Sequence, residues 1–152
     1  MWPETRKKVE LELGLLRRLL AFGEDLLKQA RLAEPNPAEL LALSSVMHSF
    51  YTGIENVFKR VADEIDGSIP TGLRSHAELL ERMARPSSQR PAVISDELRV
   101  ILGDYMDFRH MFRHAYSFQL KWRRMSGLVL HLEETLDRLD AELQAFFSIP
   151  SP

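Results

Sequence analysis

The sequence predicts an all-α protein, an up-and-down bundle of four long helices and one short helix. Apolar residues recur every three or four positions over long segments, and no segment shows the period of two that is typical of strands. The connections contain Pro, Gly and Ser and have the lengths found in helical bundles. The 152 residues, 45% of them hydrophobic, suffice for one domain over residues 1–152 with its own core.

The first two predicted helices are separated by the residues Pro35-Asn36-Pro37. Leucines at helical spacing indicate that the first helix covers about residues 1–30 and continues through Gly23. The second begins with Asn36 as its N-cap, and Glu39 is placed to complete a capping box. Its apolar stripe consists of Leu40, Leu43, Met47, Phe50, Ile54, Val57, Val61 and Ile65.

A short third helix is predicted after the turn-forming residues 66–72. Ser75, with Glu78 three positions later, matches a capping box. The helix should therefore extend from about His76 to Ala84.

Two further long helices complete the predicted bundle. Ser95 is suited to cap the fourth, and Asp96 and Glu97 suit the positive end of its dipole. The last extends from about Trp122 to Phe147, with leucines at near-heptad spacing.

Several classes of protein are excluded by what the sequence lacks. There are no cysteines, which excludes a disulfide framework, a thiolate zinc site and a cysteine nucleophile. We find neither a signal peptide nor a run of about 20 apolar residues that could span a bilayer. We therefore expect a cytoplasmic protein. Its net charge of −2 gives no overall attraction to nucleic acid, so any such attraction must be local.

Residues 105–124 concentrate positive charge and contain Asp107 as their single acidic residue. The basic residues here are Arg109, Arg113, Lys121, Arg123 and Arg124. His110, His114 and Tyr116 lie in the same stretch. Arginines bind phosphate, and histidines exchange protons near neutral pH.

Helix geometry limits which of these side chains can meet. At roughly 100° per residue, Arg109, Arg113 and Tyr116 fall within about 60° of arc. His110 and His114 are one turn apart on an adjoining strip. Arg109 and His114, however, lie about 140° apart on an ideal helix. Either the helix bends, or the same helix of a second copy completes the site, and we predict a homodimer with a shared basic cleft.

The stretch Arg109-His110, followed by His114 and then Tyr116, resembles the signature of HEPN-domain ribonucleases of the HepT-like toxin subgroup. Other stretches resemble that subgroup in the same order, over about residues 40–147 in total. They are residues 50–59, 70–72, 76–80 and 90–95. Ser75 departs from the pattern, because an aromatic residue is expected before His76.

The resemblance implies a HEPN-like bundle and a dimeric, metal-independent endoribonuclease without a cofactor. It implies that Arg109 holds the scissile phosphate, that His114 transfers a proton, and that His110 assists. Its partner would be a minimal nucleotidyltransferase antitoxin that silences the toxin by adenylylating Tyr116. Attack by a ribose 2′-OH would demand RNA rather than DNA.

The other basic residues of this stretch are expected to steer RNA rather than to catalyse. They are Arg113, Lys121, Arg123 and Arg124. Tyr116 should lie two turns beyond Arg109 on the same helix, about 20° away in azimuth. We also expect that Arg109→Ala and His114→Ala abolish cleavage and leave the fold intact, because both residues should lie on a cleft strip.

Two alternatives remain open. Asp107, His110 and His114 match the spacing of metal ligands on one helical strip. The chain could also be a non-catalytic helical module that binds nucleotide or serves as the partner subunit of a nucleotidyltransferase. For Tyr51 and Glu55, one turn apart, packing is the favoured role, and His76 is assigned at most a supporting one.

Overall fold

The computed structural model describes residues 1–150, and this part of the chain is helical with no β-strand. It contains seven α-helices: α1 (Pro3–Phe22), α2 (Glu24–Leu32), α3 (Pro37–Val61), α4 (Ser75–Met83), α5 (Asp96–His114), α6 (Trp122–Leu130) and α7 (Leu132–Phe147). The predicted all-α bundle is confirmed. Residues 151 and 152 of the expected domain lie outside the described residues. In the described part, no helix combines the length and apolar character needed to cross a membrane.

Four helices form a closed ring around the core. Helix α1 packs against α3, α3 against α5, α5 against α7, and α7 against α1. Helix α4 covers the groove between α3 and α5, and α2 lies against α6. At Gly53 of α3, an added Cβ would come within 2.5 Å of Leu16 in α1. The missing side chain therefore lets these two helices approach closely.

Two of the three predicted helix caps are confirmed. The Glu39 backbone N–H donates to Asn36 Oδ1 at 2.9 Å, and the Asn36 N–H donates to Glu39 Oε1 at 3.0 Å. Ser95 Oγ accepts from the Leu98 N–H at 3.1 Å. The predicted cap at Ser75 is wrong, because Ser75 is already the first residue of α4. Arg74 occupies the N-cap and, within residues 1–150, makes no side-chain capping bond.

The predicted first and last helices are each broken in two. Gly23, with φ −90° and ψ 10°, separates α1 from α2, and glycine is a weak helix former. The break lets α1 pack on α3 while α2 packs on α6. His131 separates α6 from α7, and its Nδ1 lies 2.6 Å from the Gly127 carbonyl oxygen. The bundle therefore has more helices than predicted but the same overall plan.

A buried ion pair fastens the connection between α4 and α5. Helix α3 continues into a π-helical turn, Ala62–Asp66, which ends at Gly67 with a left-handed φ of 87°. Arg90 donates to both carboxylate oxygens of Asp66, at 2.7 and 2.8 Å. Its amino groups also bond the backbone carbonyl groups of Arg82, Arg85 and Pro91. The pair holds the end of α3 to the residues that precede α5.

Candidate functional site

The last two turns of α5 present histidines to solvent. His110 and His114 are both exposed, and their ring centroids are 4.7 Å apart with the planes inclined at 60°. The helix ends at His114, because Ala115 adopts an extended conformation with φ −102° and ψ 150°. Arg113 is also exposed. Two imidazoles and a guanidinium are therefore accessible at the end of one helix.

Arg109 of the same helix is buried and faces α3. Its two amino groups donate to the two carboxylate oxygens of Glu55, each at 2.9 Å. The guanidinium carbon lies 4.9 Å from the centroid of the Tyr51 ring, so a cation–π contact adds to the ion pair. NH1 also lies 3.5 Å from the Thr52 hydroxyl oxygen. Arg109 is therefore held by a bidentate, charge-assisted pair inside the bundle.

His76, at the start of α4, joins this pair. Its Nδ1 lies 2.5 Å from Glu55 Oε2 and 3.1 Å from the NH2 group of Arg109. Its side chain is 47% exposed, whereas that of Glu55 is 4% exposed. Burial alone would raise the pKa of Glu55, but hydrogen bonds from Arg109 and His76 outweigh it and hold the pKa below its usual value. The Glu55–His76–Arg109 cluster therefore contains an ionised carboxylate.

A cavity of about 210 Å³ opens beside this cluster, between α4 and α5. His76 and His110 line it, together with Arg74, Arg113 and Asp107. Because Glu55 compensates the charge of Arg109, the wall carries the two positive charges of Arg74 and Arg113 against the one negative charge of Asp107. A cavity with this lining can accept an anionic group such as a phosphate.

Arg123 and Arg124 line a different and larger cavity. It measures about 710 Å³ and lies between α5, α6 and α7, with apolar walls that include Tyr105 and Phe108. Asp107 lines both cavities. Lys121, Arg123 and Arg124 are exposed. Of the four predicted RNA-steering residues, only Arg113 lines the cavity between α4 and α5.

The sequence profile of the family described as HepT-like protein matches residues 42–149. The chain belongs to the HepT-like family. The matched segment contains the Glu55–His76–Arg109 cluster, the two exposed histidines and the cavity between α4 and α5. Family membership supports a HEPN-type toxin. No curated protein and no solved structure matches the chain significantly.

The position expected for Tyr116 in this HepT-like chain is wrong. Helix α5 ends two residues earlier, so Tyr116 does not lie two turns beyond Arg109 on the same helical face. It has extended backbone, with φ −74° and ψ 147°, and precedes a 3-10 turn, Ser117–Gln119. Tyr116 is 71% exposed, and its ring stacks on that of Phe118 with centroids 5.5 Å apart. The phenol is accessible and close in sequence to His114.

Arg109 lines the cavity between α4 and α5, in keeping with the expected cleft strip, but it is buried and paired with Glu55. Arg109→Ala would leave the buried Glu55 without its main counter-charge, so this variant is not neutral for the fold. The alternative metal set finds no support in the geometry. Among residues 1–150, no three His, Asp or Glu side chains converge as metal ligands, so Asp107, His110 and His114 do not form that set.

The sequence alone does not indicate that Glu55 and His76 contact Arg109. A signal for Glu55 was present, because it follows Tyr51 by one helical turn and lies next to Ile54 of the apolar stripe. A carboxylate on the buried side of a helix needs a partner. Nothing local identifies that partner, since Arg109 is 54 residues away.

Proposed function

We propose that this HepT-like chain is the RNA-cleaving toxin of a toxin–antitoxin pair, a metal-independent endoribonuclease without a cofactor. The observation that carries the proposal is the adjacent, exposed pair His110 and His114 at the end of α5. Beside it lies a cavity lined by Arg74 and Arg113. Imidazoles transfer protons near neutral pH, and guanidinium groups bind phosphate.

In the proposed reaction, His114 exchanges a proton with the RNA and His110 supports that exchange. The ribose 2′-oxygen attacks the phosphorus, the bond from phosphorus to the 5′-oxygen breaks, and a cyclic phosphate and a free 5′-hydroxyl remain. The reaction needs a 2′-OH, which DNA lacks. Four exposed basic residues steer the RNA through its phosphates. They are Arg113, Lys121, Arg123 and Arg124.

A homodimer is part of the proposal. Arg109 points into the bundle toward Glu55, while His114 is exposed. Both copies hold Arg109 in this way, so a second copy adds exposed groups of α5 rather than a free Arg109. We propose that two copies place their α5 helices along a shared cleft, to which each contributes His110, Arg113 and His114. Size-exclusion chromatography with light scattering should give the mass of a dimer at micromolar concentration. A monodisperse monomer would refute the proposed homodimer.

The pairing of Arg109 also favours a second candidate function. Both amino groups of Arg109 already donate to Glu55, so a phosphate reaches them only if the pair opens. A non-catalytic helical module that binds nucleotide, or that serves as the partner subunit of a nucleotidyltransferase, would need no such opening. In that case the wild-type chain binds nucleotide or partner and leaves RNA intact.

The decisive experiment compares cleavage of RNA with cleavage of DNA of the same sequence. The wild-type chain should cut RNA only, and His114→Ala should lower the rate by about 10² to 10⁴. His131→Ala is the matched control, since His131 is exposed and its ring contacts only Gly127 of α6 and Glu134 of α7. EDTA should leave the rate unchanged. If EDTA abolishes cleavage and zinc or manganese restores it, the reaction needs a metal ion and the metal-independent mechanism is wrong.

We further propose that a minimal nucleotidyltransferase antitoxin silences the toxin by adding AMP to Tyr116. The phenol is exposed and two residues from His114, so the added phosphate would compete with RNA for the basic residues around it. Tyr116→Phe should keep its RNase activity and resist silencing by the co-expressed partner. Mass spectrometry should find the adduct on Tyr116. An adduct elsewhere, or a Tyr116→Phe variant as inactive as His114→Ala, would refute the switch.

A further inference from the structure

His76 and Glu55 form a carboxylate–imidazole pair at the edge of the cavity that His110 and Arg113 also line. We propose that His76 is a second catalytic residue of this site, with Nε2 as the general base that accepts the proton of the ribose 2′-OH. Glu55 is its positioning residue. The inference rests on the proposed RNA cleavage and divides its proton transfers between two helices, α4 and α5.

The geometry fixes which nitrogen of His76 carries the proton. Nδ1 lies 2.5 Å from an oxygen of Glu55, and a carboxylate accepts hydrogen bonds but does not donate them. Arg109 NH2 lies 3.1 Å from Nδ1 and would donate to it in the other tautomer, but the lone pair of Nδ1 would then face that of Glu55 Oε2 at 2.5 Å. The neutral ring therefore carries hydrogen on Nδ1 and a lone pair on Nε2. Within residues 1–150, Nε2 has no hydrogen-bond partner.

Stability alone does not explain the presence of His76. Arg109 already satisfies both oxygens of Glu55, so the buried carboxylate has its counter-charge without the imidazole. A side chain that is 47% exposed contributes little to stability through such a contact. The contact does orient the ring and stabilise the imidazolium that forms when Nε2 takes a proton.

The charges of the neighbouring groups suit this step. With Glu55 ionised, Arg109 protonated and His76 neutral, the cluster has no net charge. It becomes singly positive when His76 accepts the proton, next to a phosphate that is gaining negative charge. Arg74, Arg113, His110 and Asp107 are the other titratable or charged groups around the cavity. The two arginines would hold the phosphate between His76 and the His110–His114 pair.

The reaction balances with two histidines. His76 Nε2 takes the proton of the 2′-OH, the 2′-oxygen bonds to phosphorus, and the bond to the 5′-oxygen breaks. His114, as imidazolium, gives its proton to that leaving oxygen. The products are a 2′,3′-cyclic phosphate and a 5′-hydroxyl. Each histidine ends in the protonation state in which the other began, and exchange with water restores both.

His76→Asn separates a base from a mere hydrogen-bond donor. The asparagine amide can donate to Glu55 from near the position of Nδ1, but it offers no base. We expect cleavage to fall by about 10² to 10⁴, while the urea midpoint of unfolding stays that of the wild type. His131→Asn is the matched control and should cleave normally. Normal cleavage by His76→Asn would overturn the proposal.

Two further measurements make the test independent of any single variant. Imidazole in the buffer should restore part of the activity of His76→Gly, which a purely structural role would not allow. Nitrogen-15 NMR of the wild-type chain should show the tautomer with hydrogen on Nδ1, without any need for cleavage. Absence of rescue, or hydrogen on Nε2 of the neutral ring, would overturn the assignment.

The failure of this inference is distinguishable from the failure of the proposed function. If His114→Ala is inactive and His76→Asn cleaves like wild type, His76 is not the base and the ribonuclease proposal stands. If the wild-type chain leaves RNA intact, the ribonuclease proposal fails and the role of His76 fails with it.

Discussion

Two buried arginine–carboxylate pairs in this molecule are both bidentate but have different surroundings. Arg90 binds Asp66 through two bonds of 2.7 and 2.8 Å, and Arg109 binds Glu55 through two bonds of 2.9 Å. The other hydrogen bonds of Arg90 go to backbone carbonyl groups. Arg109 instead contacts the side chains of Thr52 and His76. Each arginine borders a cavity, but only that of Arg109 is lined by histidines. The same ion-pair chemistry thus fastens a loop in one place and, in the other, lies against the imidazole that we propose as a base.

The largest effect on stability is expected at Arg90. Its side chain is 0% exposed, and Arg90→Ala leaves Asp66 and three backbone carbonyl groups without this donor. We expect the free energy of unfolding to fall by about 3 to 5 kcal/mol in urea denaturation. Arg99→Ala is the control, because its pair with Asp96 is exposed and worth at most about 1 kcal/mol. Equal, small losses in both variants would contradict the proposed loop-fastening role.

A smaller loss is expected for Arg109→Ala, about 3 kcal/mol. Glu55 keeps His76 as a partner, whereas Asp66 has no side-chain partner other than Arg90 within residues 1–150. A double-mutant cycle with Glu55→Ala should show a coupling energy of about 0.5 to 3 kcal/mol. If Arg109→Ala lowers the free energy of unfolding by at least as much as Arg90→Ala, the two pairs do not differ in their contribution to stability as described.

The smallest expected effect is a loss of folding stability at low pH. The pKa of Glu55 is held below its usual value of 4.5 by Arg109 and His76 against the opposing effect of burial. Its ionisation therefore adds stability that is fully present above pH 4.5 and is lost as the pH falls through the depressed value. Urea denaturation between pH 7 and about pH 3 should show the wild type and Glu55→Gln converging in acid. Parallel curves would mean that this carboxyl does not titrate as described.

The sequence predicted what depends on neighbouring residues. The caps at Asn36 and Ser95 involve residues three positions apart, so their pattern is visible in the chain itself. The adjacency of His110 and His114 follows from helical spacing for the same reason. The breaks at Gly23 and His131 were not predicted, because they depend on the tertiary contacts that α2 and α6 make with other helices.

The candidate site was predicted only in part. Helical spacing gives the angle between Arg109 and His114, but it does not tell which side of α5 is covered. That side is set by α3 and by Glu55, 54 residues away. The helix end at His114 carries no glycine or proline signal, since Ala115 simply becomes extended. The exposed position of Tyr116 beyond the helix could therefore not be anticipated.

The exposed position of Tyr116 has a kinetic consequence. Of the three tyrosines, Tyr51 and Tyr105 are buried, and the phenol of Tyr105 bonds the Leu128 carbonyl at 2.6 Å. An enzyme reaches a buried phenol only in molecules that have opened locally, and every 1.4 kcal/mol of opening free energy cuts that fraction tenfold. The phenol of Tyr116 is already exposed, so its modification needs no local opening. The rate of its proposed modification is set by encounter with the partner, so silencing would proceed as fast in a marginally stable variant as in a rigid one.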